Sequence, residues 1–454
     1  MVKHARVVAF ISILCGPLAG QAQTSGNDVS VESVDAPILD GPAASSRSLE
    51  EGVVNSPSKL KPAPESEFRM EELGQDARGK TTERRWRVMP FGRVRITLDD
   101  NIFISNTLRE SDLVTAIAPG IAAGWGDYTS EVNLLTDTEQ YLNATPDQDE
   151  PQSYIFGRYN PNAVLFAENS DINALEHDAL VAGRWVGRRM LVGFRLGYQK
   201  LANATIDVGD RVNREITTAR LNTQYSLSEK TSIELNLLGT INKFPSQLSW
   251  EEIVTESWLN YRLFPKTQVA MGMRLGTLEV DGSDRQFYEQ LLTRVAYNAS
   301  SKLAVSADGG LEWRQYGSAG DDRLFGVFSL GAQYAPFDGT NLSLRAFRRN
   351  SATVSLENET VTGTGVYARV TQRFLQRLRF LLEGGYETGN YTANPGGFSV
   401  GRVDNIYSVR SAVSLQVTRF LTAEASYQFQ KNDSTIDILT FYGNNVSLQM
   451  SFQF

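Results

Sequence analysis

The 454-residue chain has one cysteine, Cys15, and two histidines, His4 and His177. A zinc site of Cys and His needs more ligands than that, and a lone cysteine forms no disulfide within the chain. Proline is sparse, at 15 residues against 37 glycines, so long strands are seldom interrupted. There is no basic excess either. Lys and Arg number 44 against 52 Asp and Glu, for a net charge of −8. A nucleic-acid partner would call for a basic stripe, so none is expected. After residue 22 nothing approaches eighteen consecutive apolar residues, and no transmembrane helix is expected. A chain that enters a membrane without such a helix must do so as a closed barrel.

The start of the chain reads as an export signal. Lys3, His4 and Arg6 form a short basic segment. Residues 7–20, VVAFISILCGPLAG, form an apolar core too short to span a bilayer. Gly20 and Ala22 are the small residues a signal peptidase accepts, so residues 1–22 are expected to be removed. Cys15 lies inside that core; Leu14 before it is a poor match to a lipidation site. Cleavage removes Lys3 and Arg6 and no acidic residue, which takes the net charge from −8 to −10. Residues 23–88 are rich in Ser, Pro, Glu and Gly, with few aromatics and no sustained period. Such a segment cannot bury enough apolar surface to offset its ordering entropy, and a disordered periplasmic leader is expected.

From residue 89 to 454 the pattern becomes alternation with a period of two. In the last run, Val446, Leu448, Met450, Phe452 and Phe454 alternate with Ser447, Gln449, Ser451 and Gln453. Leu421, Ala423, Ala425, Tyr427 and Phe429 alternate with Thr422, Glu424, Ser426, Gln428 and Gln430. Leu303, Val305, Ala307, Gly309, Leu311 and Trp313 do the same against Ser306, Asp308, Glu312 and Arg314. A soluble sandwich also alternates, but its strands are usually about half this length. Runs of ten or more residues fit tilted membrane strands.

Short and long connections also take turns. Short ones fall at 186–190, 228–231, 264–267, 298–302, 336–340, 374–377 and 418–421. Long polar ones fall at 203–216, 244–249, 281–285, 317–322, 351–360, 389–404 and 431–437. This is the pattern of an outer-membrane barrel with periplasmic turns and extracellular loops. The expected fold is therefore an all-β, antiparallel, up-and-down transmembrane barrel of about eighteen strands, with both chain ends in the periplasm. For the third strand, 128–141 and 153–167 compete. The short polar link SDINALEH after the second option favours 153–167, which makes 127–152 an enlarged periplasmic turn.

Three stretches near the start, LDDNIFIS (98–105), SDLVTAIAPGIAAGWGD (111–127) and ENSDINALEHDALVAGRW (168–185), resemble the type 2 β-barrel porin family. Some of its members are encoded among exopolysaccharide genes. The resemblance covers roughly 90–454 and implies an outer-membrane barrel; the insertion 127–152 departs from the family pattern. The terminal Phe454, with Phe452 and Met450 behind it, resembles the C-terminal strand read by the barrel-assembly machinery, although Asn445 and Gln449 stand where a glycine is common.

Alternation assigns a polar set to the interior: Arg195, Arg274, Glu312, Arg314, Arg345, Arg379, Glu383, Arg410 and Glu424, with Arg184, Arg220, Glu234 and Arg294. These residues either line an aqueous pore and bias ion passage or form a wall of paired charges. Chemistry has little support. His177 beside Asp178 matches a base and its orienter, but both fall in the polar link. Asp99–Asp100 and Asp321–Asp322 lack the twelve-residue spacing of a calcium loop; Asp99, Asp100 and Asn101 read as a turn cap. No enzyme activity, cofactor or metal is expected. The expected function is passage of polar solutes through a bacterial outer-membrane barrel set in lipid. The alternatives are an exopolysaccharide-export barrel with a periplasmic partner, and a plugged structural or adhesive barrel.

Deleting Phe454 removes the terminal aromatic of the edge strand. The amount of folded barrel in the outer membrane should fall while export across the inner membrane continues. Unchanged folded yield, read by heat-shifted electrophoretic mobility, would show the C-terminal match to be coincidental.

Overall fold

The computed structural model describes residues 86–107, 109–126, 153–282, 284–317, 322–353, 360–375, 377–392 and 401–454. They form eighteen strands: β1 (Trp86–Asp99), β2 (Asp112–Trp125), β3 (Tyr154–Phe166), β4 (Ala174–Val186), β5 (Met190–Thr205), β6 (Asp210–Ser226), β7 (Thr231–Lys243), β8 (Trp250–Phe264), β9 (Thr267–Val280), β10 (Gln286–Asn298), β11 (Leu303–Gln315), β12 (Arg323–Tyr334), β13 (Thr340–Ala352), β14 (Thr360–Phe374), β15 (Leu378–Thr392), β16 (Arg402–Gln416), β17 (Leu421–Ser434) and β18 (Phe441–Gln453). Each pairs antiparallel with the next, and β1 also pairs with β18, which closes the sheet.

The two faces of this sheet differ in the way a lipid-embedded barrel requires. In β10, Phe287, Leu291, Val295 and Tyr297 are exposed, while Tyr288, Gln290, Leu292 and Arg294 between them are buried. The outward set includes Leu196, Leu235, Leu237, Ile253, Leu259, Met271, Met273, Leu291, Leu311, Leu330, Leu344 and Leu448, all exposed. A band of that extent facing water would aggregate; facing lipid it is matched to its solvent. Aromatics edge the band. Trp185, Tyr261, Tyr297 and Tyr334 lie toward the short turns, and Tyr198, Trp313, Tyr386, Tyr407 and Tyr442 toward the longer connections. The chain is thus a membrane-spanning barrel of the outer-membrane type. Among the described residues no helix is long and apolar enough to cross a membrane.

The closing seam explains the C-terminus. Val94, Ile96 and Leu98 of β1 stand opposite Met450, Leu448 and Val446 of β18 on the outward face. On the inward face Arg95 Nε donates to Gln449 Oε1 at 2.8 Å, and the Thr97 and Ser447 hydroxyls meet at 2.8 Å. Phe454 N–H donates to the Pro90 carbonyl at 3.1 Å, and its ring stacks on Phe420 at 5.5 Å.

Several expectations shift. β1 begins at Trp86, so it takes in 86–88, grouped above with the leader. The long connection expected at 203–216 shrinks to 206–209, because β5 runs to Thr205 and β6 starts at Asp210. This hairpin continues its ladder beyond the apolar belt, where the alternation of hydropathy is no longer needed. His177 lies within β4, not in a link. The third strand is Tyr154–Phe166, as the 153–167 reading expects. The signal peptide, the leader up to residue 85, the 128–141 alternative and most of the enlarged turn 127–152 lie outside the described residues.

The start of β1, the end of β18 and the short turns share one rim, and the longer connections the other. A cysteine at Ser246, in the 244–249 connection, should react with a membrane-impermeant maleimide on intact cells. One at Ser300, between β10 and β11, should react only after the outer membrane is permeabilised. The opposite pattern would invert the assigned topology.

Candidate functional site

The interior face carries the polar set, and strand register lines it up. Cross-strand pairing sets Glu256 opposite Arg274, Arg274 opposite Gln290, and Gln290 opposite Glu312. The side chains complete the row. Arg274 Nε donates to Glu256 at 2.7 Å and Nη1 to Gln290 at 3.0 Å; Gln290 Nε2 donates to Glu312 at 2.6 Å. Arg314 Nε then donates to Glu312 at 2.7 Å and Nη1 to Gln286 at 3.2 Å. The row crosses β8, β9, β10 and β11. Two aromatics back it: the Arg294 guanidinium lies 3.8 Å from the Trp258 ring centroid, and that of Arg314 lies 4.5 Å from Tyr288. Gly272 and Gly276 on β9 make room for those rings, since a Cβ at either would stand 2.4 or 2.0 Å from ring atoms.

A second row lies further round the wall, beyond β12 and β13. Arg369 is ion-paired with Glu383, which stands opposite Arg410. Arg410 Nη2 lies 3.3 Å from Glu424, which also accepts from Ser414 at 2.7 Å. A third pair, Arg158–Asp178, closes at 2.8 Å. Hydrogen-bonded pairing of this kind suits arginine, whose planar fork matches a carboxylate.

Of the residues expected inside, Arg274, Glu312 and Arg314 share the first row, and Glu383, Arg410 and Glu424 the second. Arg379 shares the interior side of β15 with Glu383. Arg195 lies opposite Arg220, apart from both rows. Arg345 sits 5.3 Å from the Phe347 ring centroid. Glu256, Trp258 and Tyr288 escape the sequence reading, although their even numbering places them on the same inward side as Arg274. The His177–Asp178 pair is divided by the strand itself: Asp178 is buried inside, whereas His177 faces out and its Nδ1 lies 2.7 Å from the Tyr159 hydroxyl. Adjacent strand residues point to opposite faces, so they cannot act together.

Toward the long-connection rim the interior is crossed by folded-in segments. The β5–β6 turn, Ile206–Gly209, reaches the opposite wall. Arg402 of β16 is almost wholly buried and clasps it: Nη2 donates to the Ile206 carbonyl at 3.0 Å and Nη1 to the Asp207 carbonyl at 2.9 Å. The same guanidinium holds Asp404, with Nε at 2.9 Å from Oδ2, and lies 4.2 Å from the Tyr391 ring centroid. Thr353, at the end of β13, donates to the Asp207 carboxylate at 2.9 Å. Ile206 packs with Ile104, Ala204, Ile406 and Phe441. Gly209 adopts φ +75°, and a Cβ there would stand 2.4 Å from Leu439.

The stretches that resemble a family build this same region. Asn101 Nδ2 donates to the Ser105 and Tyr442 carbonyls, each at 2.9 Å, and its Oδ1 accepts from Ser105 N–H. That staple turns the chain inward, so Ile102 packs with Val164 and Phe166 and Ile104 with the β5–β6 turn. Ile104 has φ +47°, a conformation a β-branched residue adopts only under constraint. Asp112 accepts the backbone N–H groups of Ala167 at 2.9 Å and Asn169 at 2.9 Å. Among the described residues no group of three His, Cys, Asp or Glu is placed to hold a metal.

No family model and no curated protein matches the chain. Solved structures similar to it include OccK3 (OpdO) of Pseudomonas aeruginosa, at 11% identity and TM-score 0.43, covering 81% of this chain and 95% of that one. OprD of Pseudomonas aeruginosa is similar at 10% identity and TM-score 0.41, covering 82% and 97%. OccK2 (OpdF) of Pseudomonas aeruginosa, in complex with glucuronate, is similar at 11% identity and TM-score 0.42, covering 81% and 97%. These likenesses assign neither a solute nor a family.

Replacing Arg402 with Ala leaves Asp404 buried without its partner and frees the Ile206 and Asp207 carbonyls. Loss of one member of a buried pair costs about 3–5 kcal/mol. Arg402→Ala should therefore make the 206–209 turn sensitive to protease from outside while the barrel stays folded. An unchanged cleavage pattern would mean that the clasp does not hold the turn.

Proposed function

We propose that the chain is a porin-like channel of the bacterial outer membrane that passes polar solutes and catalyses no reaction. The observation that carries this reading is the contrast between the two faces: an apolar exterior, and an interior of hydrogen-bonded arginines, carboxylates and amides. An interior built to be dry would hold aliphatic side chains; this one offers donors and acceptors to water and solute. Barrels of sixteen to eighteen strands generally leave room for an aqueous channel. The type 2 porin resemblance supports the same reading, because its motif residues shape the entrance. The assembly machinery is proposed as the folding partner through Phe454, Phe452 and Met450. Export of a polysaccharide fits less well, since a glycan chain would have to displace the clasped β5–β6 turn.

Pairing makes the interior close to neutral row by row, so any selectivity depends on local imbalance. Changing Arg345, Arg379 and Arg410 together to Ser removes three positive charges and leaves Glu383 and Glu424 in place. The reversal potential in a planar bilayer under a salt gradient should move toward cation preference, with folding retained. A parent protein that conducts nothing would overturn the channel reading. Conductance with an unmoved reversal potential would remove these arginines from the pore-lining set.

A further inference from the structure

The wall is not zipped equally all round. β12 pairs with β11 along its length, from Arg323 opposite Arg314 to Tyr334 opposite Leu303. With β13 it pairs only from Phe328–Arg348 to Tyr334–Leu342. Beyond Arg348, β13 stays paired to β14 but leaves the wall. Arg349, Asn350, Ser351 and Ala352 are buried in succession, where an in-line strand would alternate. Asn350 Nδ2 donates to Glu312 on β11, two strands away, at 3.1 Å. Ala352 packs with Trp250 and Leu278 of β8 and β9. Among the described residues, therefore, no strand lies on the β13 side of β12 from Arg323 to Val327.

That edge begins at the outer margin of the membrane belt, where Leu324 stands opposite Trp313, and descends into it. Leu324 and Tyr334 are outward and ten residues apart on β12, about the span of a tilted membrane strand. Leu324 is 66% exposed. An open sheet edge is not tolerated against hydrocarbon, so this one must meet something that is not plain lipid. At its lower end Arg348 faces outward, exposed, in line with Leu342 and Leu344. An arginine on the lipid face of a barrel is unfavourable without an anion beside it. Just inside, Arg349 and Arg345 lie 4.1 and 5.3 Å from the Phe347 ring centroid. From lipid to interior, apolar side chains thus give way to cations.

We propose that the gap between β12 and β13 is a side port for a single-chain amphipathic anion. Its acyl chain lies in the outer leaflet against Leu324 and Phe328, and its head passes Arg348 toward Arg349. The port does not require the barrel to conduct ions. The test uses the mature protein in phosphatidylcholine bilayers, with Phe325→Cys carrying a bimane label on the interior side of β12. Addition of 2-bromododecanoate, whose bromine sits beside the head, should quench the label; the neutral 2-bromododecan-1-ol should quench it less. Arg348→Leu should weaken the dodecanoate response at least threefold and leave the dodecanol response alone. Gly326→Trp, whose ring stands on the lipid side of β12 across the mouth of the gap, should abolish both. Ion conductance measured on the same variants should not change, which separates failure of the port from failure of the channel. Absence of quenching in the parent, or undiminished quenching in Gly326→Trp, overturns the proposal. Should Gly326→Trp not fold, an unchanged dodecanoate response in Arg348→Leu overturns it alone.

Discussion

The structure depends on one constraint: backbone N–H and C=O groups within hydrocarbon must be paired inside the protein. Without an apolar run long enough for a helix, the chain meets it by joining β1 to β18. The rest follows. Closure fixes two faces, lipid outside demands Leu, Ile, Val and Met at every second position, and the interior receives the polar residues between them. The same requirement explains why β1 and β18 match outward apolar pairs with inward polar ones at the seam.

Within the barrel the problem reverses, because charged groups must be kept satisfied in a crowded interior. Register solves it. Glu256, Arg274, Gln290 and Glu312 fall on one row because of how β8 to β11 pair, and their hydrogen bonds hold that row. Arginine dominates the inward ion pairs, whereas Lys200 and Lys243 face outward near the rim. A buried pair is weak evidence of net stability, since desolvation offsets much of its attraction. Breaking one leaves an uncompensated charge, so a one-residue slip between these strands would be penalised across the whole row.

The strands most legible in the sequence are those whose two solvents differ most. β18, β17 and β11 show unbroken alternation because lipid and a polar interior meet across them. β5 and β6 continue past the belt into a region with protein on both sides, and there LANATIDVGDRVNRE reads as a polar loop although its ladder persists. Arg402 and Asp404 were hidden in the same way, inside a stretch that looked like connection. The inward side of Arg274, Glu312 and Arg379 could be read from period alone; their partners could not, because pairing depends on register between strands. His177 and Asp178, adjacent in sequence, looked like a catalytic couple only while the strand that divides them was unassigned.

The folded-in segments and the unpaired part of β12 share one cause. Thr353 can reach Asp207 only because β13 turns inward after Arg348, and that turn is what removes the partner from the upper half of β12. The backbone pairing lost on β12 is offset by what the inward segment gains: Asn350 on Glu312, Ala352 among Trp250 and Leu278, and Thr353 on the β5–β6 turn. The turn in turn depends on Arg402 from the opposite wall. The two segments meet where Thr353 donates to the Asp207 carboxylate. Among the described residues, the segments folded in at the long-connection end therefore derive from the barrel's own wall, and the departure of β13 leaves Arg323 to Val327 of β12 with no strand on that side.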